Sequence, residues 1–313
     1  ISITAGINVG VVAGLNEGTI YNINIRNAKI ISNSEILLDV GASYKSIYSG
    51  LVVAINKGKI EKCSVQNNNY QTKVEPLAKT TLYSGGVCAI NDGEIIYSYI
   101  DANVYGTIAG GICAINNNKV EFSAFYGTIS CANFVSNKST LVARAGGICA
   151  INSENATVSN VIVDNNLFGT GEGGITNLST TNIQSNIVYI GGLIGDNKGN
   201  CFNSYVKIDL FNRSSNDVDC EVCYLFGYNS NNTLTNNYYV LSDTTMAKQM
   251  LKGQVIDERT NGEIQNHSQE LLNTFNQNNS DNSNYEWRYI ENYKFNEEII
   301  MQINIGFVKI DRE

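Results

Sequence analysis

A short element made of two glycines, an apolar run and one asparagine recurs along most of this chain. Its clearest copy reads Gly-Gly-Val-Cys-Ala-Ile-Asn-Asp-Gly at 85–93, and similar runs stand at 110–118, 146–152 and 191–199. Aligned on the asparagine, the element occurs at Asn16, Asn56, Asn91, Asn116, Asn152, Asn197 and Asn229. The spacings between these positions are 40, 35, 25, 36, 45 and 32 residues. A repeat of this length is typical of a solenoid, a propeller or an array.

Each copy predicts a strand that ends in a tight turn. The apolar run is rich in Val and Ile, which favours a strand, and it stops at Asn-x-Gly in most copies. Because glycine reaches positive φ without a Cβ clash, we expect positive φ at Gly58, Gly93 and Gly199. Asn118 stands at the same place in another copy. In the clearest repeat a second strand is predicted over 94–100 and a third over 104–108.

The shortest unit decides between the architectures. Its 25 residues hold three strands and three turns, whereas a propeller blade needs about 40 residues and four strands. We therefore predict an all-β domain over 1–240, a right-handed parallel β-helix of about seven or eight three-strand rungs. Inserts between the third strand and the next Gly-Gly explain the longer units, and they should emerge along one edge of the solenoid. The predicted inserts are 32–47, 72–82, 130–143, 171–187 and 212–220.

The run Gly-Gly-Leu-Ile-Gly-Asp-Asn-Lys-Gly-Asn at 191–200, followed by Asn203-Ser204-Tyr205, resembles the GLUG repeat. That repeat is found in bacterial surface proteins and in the non-catalytic regions of IgA-cleaving metallopeptidases. The resemblance covers roughly residues 8–240. Most copies depart from the family pattern by carrying alanine at its second motif glycine, as at Ala89, Ala114 and Ala150. The resemblance implies a surface-exposed β-solenoid and transfers no catalytic residue.

The sequence pattern changes after residue 240. Asp243 can cap a helix over 244–252, and a second short helix is predicted over 268–275. Apolar residues return from Trp287 onward, which predicts a strand that contains this tryptophan. We therefore predict that 241–313 forms a small α/β region that caps the last rung of the solenoid.

Composition and charge exclude some partners. The net charge is −8 and the isoelectric point is about 4.8, which argues against nucleic acid because phosphate binding needs a basic face. No apolar run is long enough to cross a membrane. The chain opens Ile1-Ser2 without Met or a leader, and we expect it to be a segment of a larger secreted or cell-surface protein.

The cysteines and the single histidine offer little support for a catalytic or metal site. Cys88, Cys113 and Cys149 occupy one repeat position, where they fit a metal ladder, disulfides or small buried core residues, and core residues are favoured. Cys220 and Cys223 form a lone CxxC motif without a second pair, so zinc is not favoured. His267 lies in a polar stretch outside the repeats, as expected for a solvated linker residue.

Acidic and aromatic residues leave two further alternatives open. Asp209, Asp217, Asp219 and Glu221 cluster near one insert, where paired carboxylates serve as acid and base in β-helix carbohydrate enzymes, although a solvated loop is favoured. Asp217 and Asp219 also fit a weak calcium site, but the full loop pattern is missing. The tyrosines at 97, 99 and 105 fall in one predicted rung, where they stack on sugars or partners or simply fill the core.

The sequence therefore favours a non-catalytic binding or stalk module on a secreted or cell-surface protein. The expected partner is a glycan or a host or cell-surface protein, and no catalytic residue, cofactor or metal ligand is assigned. The alternatives are a β-helix lyase or hydrolase that uses the insert carboxylates, and an accessory domain of a surface metallopeptidase. No HExxH motif occurs in the chain, so the catalytic part of such a peptidase would lie elsewhere. We expect ligands to contact the edge formed by the inserts.

Overall fold

The computed structural model shows an all-β chain whose described residues contain parallel strands in stacked sheets and no helix. The structure describes residues 2–5, 7–32, 46–66, 73–76, 81–131, 142–164, 174–177, 187–208, 210–211, 219–230, 234–240, 257–259, 285–288, 293–295, 298–301 and 306–309.

Four parallel sheets make up the repeating part of the chain. Sheet 1 contains Ser2–Ala5, Lys29–Ser32, Lys73–Pro76, Asn103–Gly106, Thr128–Cys131, Gly174–Asn177 and Leu210–Phe211. Sheet 2 contains Asn8–Gly10, Ser46–Gly50, Thr81–Gly85, Ile108–Gly110, Ala143–Gly146, Ile187–Gly191 and Asp219–Cys223. Sheet 3 contains Ala13–Asn16, Val53–Asn56, Cys88–Asn91, Cys113–Asn116, Cys149–Asn152, Ile194–Asn197 and Phe226–Asn229. Sheet 4 contains Thr19–Tyr21, Asn24–Arg26, Lys59–Glu61, Ser64–Gln66, Glu94–Ile96, Tyr99–Ile100, Lys119–Glu121, Ala124–Phe125, Thr157–Asp164, Asn200–Lys207, Leu234–Val240 and Asp257–Arg259.

The chain visits the four sheets in the same order in every repeat, and each strand pairs with its counterpart one repeat away. Asn91, for example, is in register with Asn56 on one side and Asn116 on the other. This arrangement is consistent with a parallel β-solenoid, and sheets 1 to 3 each hold seven strands. The prediction of three strands in each rung is wrong, because the Gly-Gly pair lies at a corner between sheets 2 and 3. A separate strand therefore precedes each Gly-Gly corner.

Most of the left-handed non-glycine residues lie in the middle of sheet 4, whereas Asn155 lies in the turn that follows Asn152 and Asn27 lies between sheets 4 and 1. None of Gly58, Gly93 and Gly199 has φ in the left-handed range, so the prediction of positive φ for them is wrong, as it is for Asn118. Positive φ occurs instead where the sheet 4 segments bend, at Asn22, Lys62, Tyr97, Phe122, Asn160 and Asn203.

The turn glycines are required by close stacking of one repeat on the next. A Cβ atom added at Gly93 would lie 2.0 Å from the carbonyl oxygen of Gly58, and one at Gly58 would lie 2.0 Å from that of Gly18. Such distances are far inside van der Waals contact. The backbone of successive turns is therefore too close for any side chain at Gly58 or Gly93.

One apolar core runs through the repeats and receives side chains from all four sheets. Cys88, Cys113 and Cys149 are in register in sheet 3, fully buried and free, which confirms their interpretation as small core residues. The recurrence of the motif asparagine in every repeat has a structural cause as well. Each donates its side-chain amide to the Oδ1 atom of the next asparagine at 2.8–3.0 Å, from Asn16 through to Asn229.

Each predicted insert lies at least in part between a sheet 1 strand and a sheet 2 strand. Residues 67–72 and 165–173 lengthen the junction between sheets 4 and 1 as well, so the prediction of a single insert junction is wrong. The bounds of two predicted inserts include sheet 1 strands. The insert 72–82 contains the strand Lys73–Pro76, and the insert 171–187 contains the strand Gly174–Asn177. These strands pair with the sheet 1 strands of neighbouring repeats, and so they belong to the repeating framework.

The last part of the described chain forms antiparallel pairs. Tyr285–Arg288, which contains Trp287, pairs with Gly306–Lys309, and Tyr293–Phe295 pairs with Glu298–Met301. The helices predicted over 244–252 and 268–275 lie outside the described residues. Asp257–Arg259 adds a further parallel strand to Leu234–Val240 in sheet 4.

Candidate functional site

One row of side chains on sheet 2 points away from the main core. Ala109 and Ala145 belong to that core, and successive residues of a strand point to opposite faces, so Ile108 and Arg144 point outward. The register between repeats places one such residue in each of five successive strands. In order along the solenoid, the row is Tyr48, Tyr83, Ile108, Arg144 and Tyr189.

A second row on sheet 3 borders the first. Ile115 and Ile151 pack with Ile108 and Tyr83 in an apolar cluster that is separate from the main core. The sheet 3 row therefore lies beside the sheet 2 row on the outer face of the Gly-Gly corner. Its members in register are Ile55, Ile90, Ile115, Ile151, Asp196 and Tyr228. We call the two rows together the tyrosine strip.

Two tyrosine stacks lie toward the two ends of the strip. The rings of Tyr48 and Tyr83 have centroids 5.1 Å apart and planes at 24°. Those of Tyr189 and Tyr228 are 5.2 Å apart at 23°, and Tyr228 is 43% exposed. Tyrosine presents a large apolar body together with a polar hydroxyl, the combination that enriches it at binding interfaces.

An ion pair lies between the two stacks. The Nε atom of Arg144 donates to Oδ2 of Asp196 at 3.0 Å, and the Arg144 guanidinium lies 5.7 Å from the centroid of the Tyr189 ring. The Asp196 side chain is only 4% exposed, and Lys198 Nζ lies 4.0 Å from the same Oδ2 atom. The pair joins sheet 2 to sheet 3 across the strip, with its carboxylate removed from solvent.

The surroundings of the strip change the pKa of Tyr83. Burial raises the pKa of the Tyr83 phenol, and the neighbouring Tyr48 phenol adds to that increase, while the positive charge of Arg144 acts in the opposite direction. The Tyr83 phenol therefore remains an uncharged donor and acceptor of hydrogen bonds at neutral pH.

None of the residues that the sequence suggested for catalysis or metal binding is a member of the tyrosine strip. Asp209, Asp217, Cys220's side chain and His267 lie outside what the structure describes, while Asp219 and Glu221 fall in the sheet 2 strand Asp219–Cys223. In backbone register, Asp219 pairs with Ile187 and Glu221 pairs with Tyr189. Across the described residues, no three His, Cys, Asp or Glu side chains converge as metal ligands.

The predicted tyrosine group is divided between faces. Tyr97 is in the bend of sheet 4, where its ring stacks on Phe122 with centroids 5.1 Å apart. Tyr99 belongs to a sheet 4 strand and Tyr105 to a sheet 1 strand. This group therefore does not form one aromatic surface.

Sequence reasoning missed the tyrosine strip, although a signal for it exists. Tyr48, Tyr83 and Tyr189 each stand two residues before the glycine that ends a sheet 2 strand, and Arg144 stands at the same offset. Aligning the repeats on this glycine as well as on the asparagine would have placed all four residues in one row.

Comparison with known proteins adds no family assignment: neither the models of known protein families nor the curated proteins match this chain. In the described part of the chain there is also no helix with the length and apolar character needed to cross a lipid bilayer. Function must therefore be argued from the geometry of the repeats and of the strip.

Proposed function

We propose that this chain is a non-catalytic binding module and that the tyrosine strip is its ligand-binding surface. The observation that carries the proposal is the row of outward residues in register, with one tyrosine stack toward each end and with the Ile108 cluster and the Arg144–Asp196 ion pair between the stacks. Large aromatic side chains held on a regular sheet lose little freedom on binding, which favours affinity.

The dimensions of the strip suit an extended ligand. Neighbouring strands of a sheet are about 4.8 Å apart, so the four steps from Tyr48 to Tyr189 cover about 19 Å along the solenoid. A saccharide chain or a stretch of polypeptide laid along the solenoid axis would contact both tyrosine stacks. The partner class remains the one proposed from the sequence, a glycan or a host or cell-surface protein.

The inserts border this surface. Ser46, Thr81, Ala143, Ile187 and Asp219 each begin a sheet 2 strand that follows one of the inserts. A ligand on the strip would therefore meet the insert edge on the sheet 2 side. The insert edge, which the sequence suggested as the binding site, therefore lies next to the tyrosine strip.

The resemblance to the GLUG repeat supports the wider setting of the proposal. On that basis we place the module in a right-handed, closed parallel β-helix on a secreted or cell-surface bacterial protein, where it acts as an adhesive or stalk segment. An accessory role beside the catalytic part of a surface metallopeptidase belongs to the same class. The regular stacking of seven repeats supports a rigid, elongated element of this kind.

The test is a binding screen of the purified chain with matched variants. We expect a ligand found on glycan and cell-surface protein arrays to lose affinity in the Tyr48→Ser, Tyr83→Ser double variant. Tyr21→Ser is the control, because Tyr21 is 52% exposed and lies in sheet 4 away from the strip. Unchanged binding by the double variant would contradict the strip as the site. Polysaccharide cleavage that is abolished by Asp219→Asn would contradict the non-catalytic role.

A further inference from the structure

The Asp196 carboxylate presents one oxygen that the protein leaves without a partner. Oδ2 accepts the hydrogen bond from Arg144 and lies near Lys198, but Oδ1 is buried and has no hydrogen-bond partner among the described residues. A buried acceptor without a donor is unfavourable, and native proteins rarely keep one. The Asp196 side chain is only 4% exposed, so this oxygen is shielded from bulk solvent within the strip.

A donor group is present beside this acceptor. Arg144 uses Nε on Asp196 and Nη1 on the Val142 carbonyl at 3.1 Å, which leaves Nη2 without a hydrogen bond within the described residues. The two neighbouring groups therefore offer an acceptor at Asp196 Oδ1 and a donor at Arg144 Nη2. The stacked rings of Tyr189 and Tyr228 lie next to them.

We propose that Asp196 and Arg144 form a saccharide subsite, in which one sugar hydroxyl donates to Asp196 Oδ1 and an adjacent hydroxyl accepts from Arg144 Nη2. The C–H face of the same sugar packs against the tyrosine pair at 189 and 228, which supplies apolar contact. This inference rests on the proposed function and names the ligand class as a neutral oligosaccharide.

The charges and the hydrogen-bonding capacity of the subsite argue against a basic peptide and an acidic saccharide as ligands. Asp196 is already balanced by Arg144, and Lys198 adds a second positive charge within 4.0 Å. A lysine-rich peptide would bring a further cation into this setting, and like charges repel. The carboxylate or sulfate of an acidic saccharide has no hydrogen to donate to Asp196 Oδ1, which needs a donor. A neutral hydroxyl pair satisfies both free groups without adding charge.

The experiment titrates the whole chain with five probes of three classes. The neutral class is the hexasaccharides of glucose, xylose and mannose, the acidic class is oligogalacturonate, and the basic class is an oligolysine peptide. We expect one of the neutral sugars to bind, and Asp196→Asn to weaken its affinity by about tenfold or more, since hydrogen bonds to charged groups are the strong ones. Lys198→Ala is the matched control, because Lys198 lies on the rim and is 44% exposed. It should leave the affinity nearly unchanged.

Further readouts keep the test decisive if Asp196→Asn does not fold. Arg144→Lys keeps the positive charge but removes Nη2, and it should also weaken the neutral sugar. In the unaltered protein, NMR shifts of the 196–198 backbone amides should change on titration. Preferred binding of oligogalacturonate or oligolysine would overturn the inference. The inference would also be overturned if sugar binding were lost on substitution of Tyr48 and Tyr83 but unchanged on substitution of Asp196 and Arg144. That result would still support the strip as the ligand-binding surface. If no ligand is found whose binding depends on residues of the strip, both proposals are overturned.

Discussion

The Nδ2 atom of Asn116 lies 3.0 Å from Oδ1 of Asn152 and 3.1 Å from the carbonyl oxygen of Thr157. One side chain thus joins two segments of the next repeat, and neither asparagine is exposed to solvent. The bonds between asparagines continue from Asn16 to Asn229, and the carbonyl bonds recur from Asn16 to Asn152. The ladder therefore ties the sheet 3 strands to the first residues of the sheet 4 strands in the next repeat. These bonds stabilise the stacking of the repeats.

The Asn116→Asp variant should be strongly destabilised. The new carboxylate cannot donate to Asn152 or to the Thr157 carbonyl, and each buried acceptor left unpaired costs about 1–3 kcal/mol. Urea denaturation followed by circular dichroism measures the change in the free energy of unfolding. Asn8→Asp is the control, since Asn8 is exposed and lies outside the ladder. Similar stabilities for the two variants would show that the ladder is not important.

Gly93→Ala should destabilise the protein, whereas Gly18→Ala should not. An added Cβ at Gly93 would lie 2.0 Å from the Gly58 carbonyl oxygen, but one at Gly18 has nothing within 4 Å. Overpacking of this kind costs about 1–3 kcal/mol or more. Both glycines occupy the same place after the motif asparagine, so equal losses would contradict the stacking explanation. The comparison uses the free energy of unfolding of each variant.

Arg144→Ala should be more harmful than Lys198→Ala. Removing the arginine leaves the Asp196 carboxylate buried without its hydrogen-bond donor, and breaking a buried pair from one side costs about 3 kcal/mol or more. Lys198 is half-exposed and 4.0 Å away, so its loss should cost less than about 1 kcal/mol. In a double-mutant cycle, Asp196→Asn should recover part of the stability lost in Arg144→Ala. Additive losses in that cycle would show that the two side chains do not interact.

Cys201 should make the stability of the protein depend on alkaline pH. Burial raises the pKa of its thiol from 9.0 to about 12, although a hydrogen bond with Ser204 acts against this increase. Between pH 9 and about 12 the unfolded chain loses the thiol proton while the native protein keeps it. The native state then binds more protons, so stability falls as pH rises through this window.

The measurement for Cys201 is the difference in the free energy of unfolding between the unaltered protein and Cys201→Ala. That difference should be constant below pH 9 and should shrink, or change sign, as pH rises toward about 12. Other buried thiols titrate in both proteins, so their contribution cancels in the comparison. A difference that does not change with pH would contradict the burial of this thiol.

The sequence by itself determined the repeat, the parallel stacking of its strands and the presence of inserts before the sheet 2 strands. The reason is local: the Gly-Gly pair, the apolar run and the asparagine recur, and the shortest unit, 25 residues, is too short for a propeller blade. Burial of Cys88, Cys113 and Cys149 also followed, because a shared repeat position in a parallel stack gives a shared environment.

The tertiary structure alone decided why the turn carries glycine and where the chain becomes left-handed. Positive φ falls on Lys62, Tyr97 and Phe122, residue types that do not favour this conformation. Stacking of neighbouring repeats imposes the bend there. The same stacking brings Tyr48 beside Tyr83, and Arg144 beside Asp196 across 52 residues. Such rows depend on the register between distant strands and on which face each strand buries, and no local pattern fixes either of these.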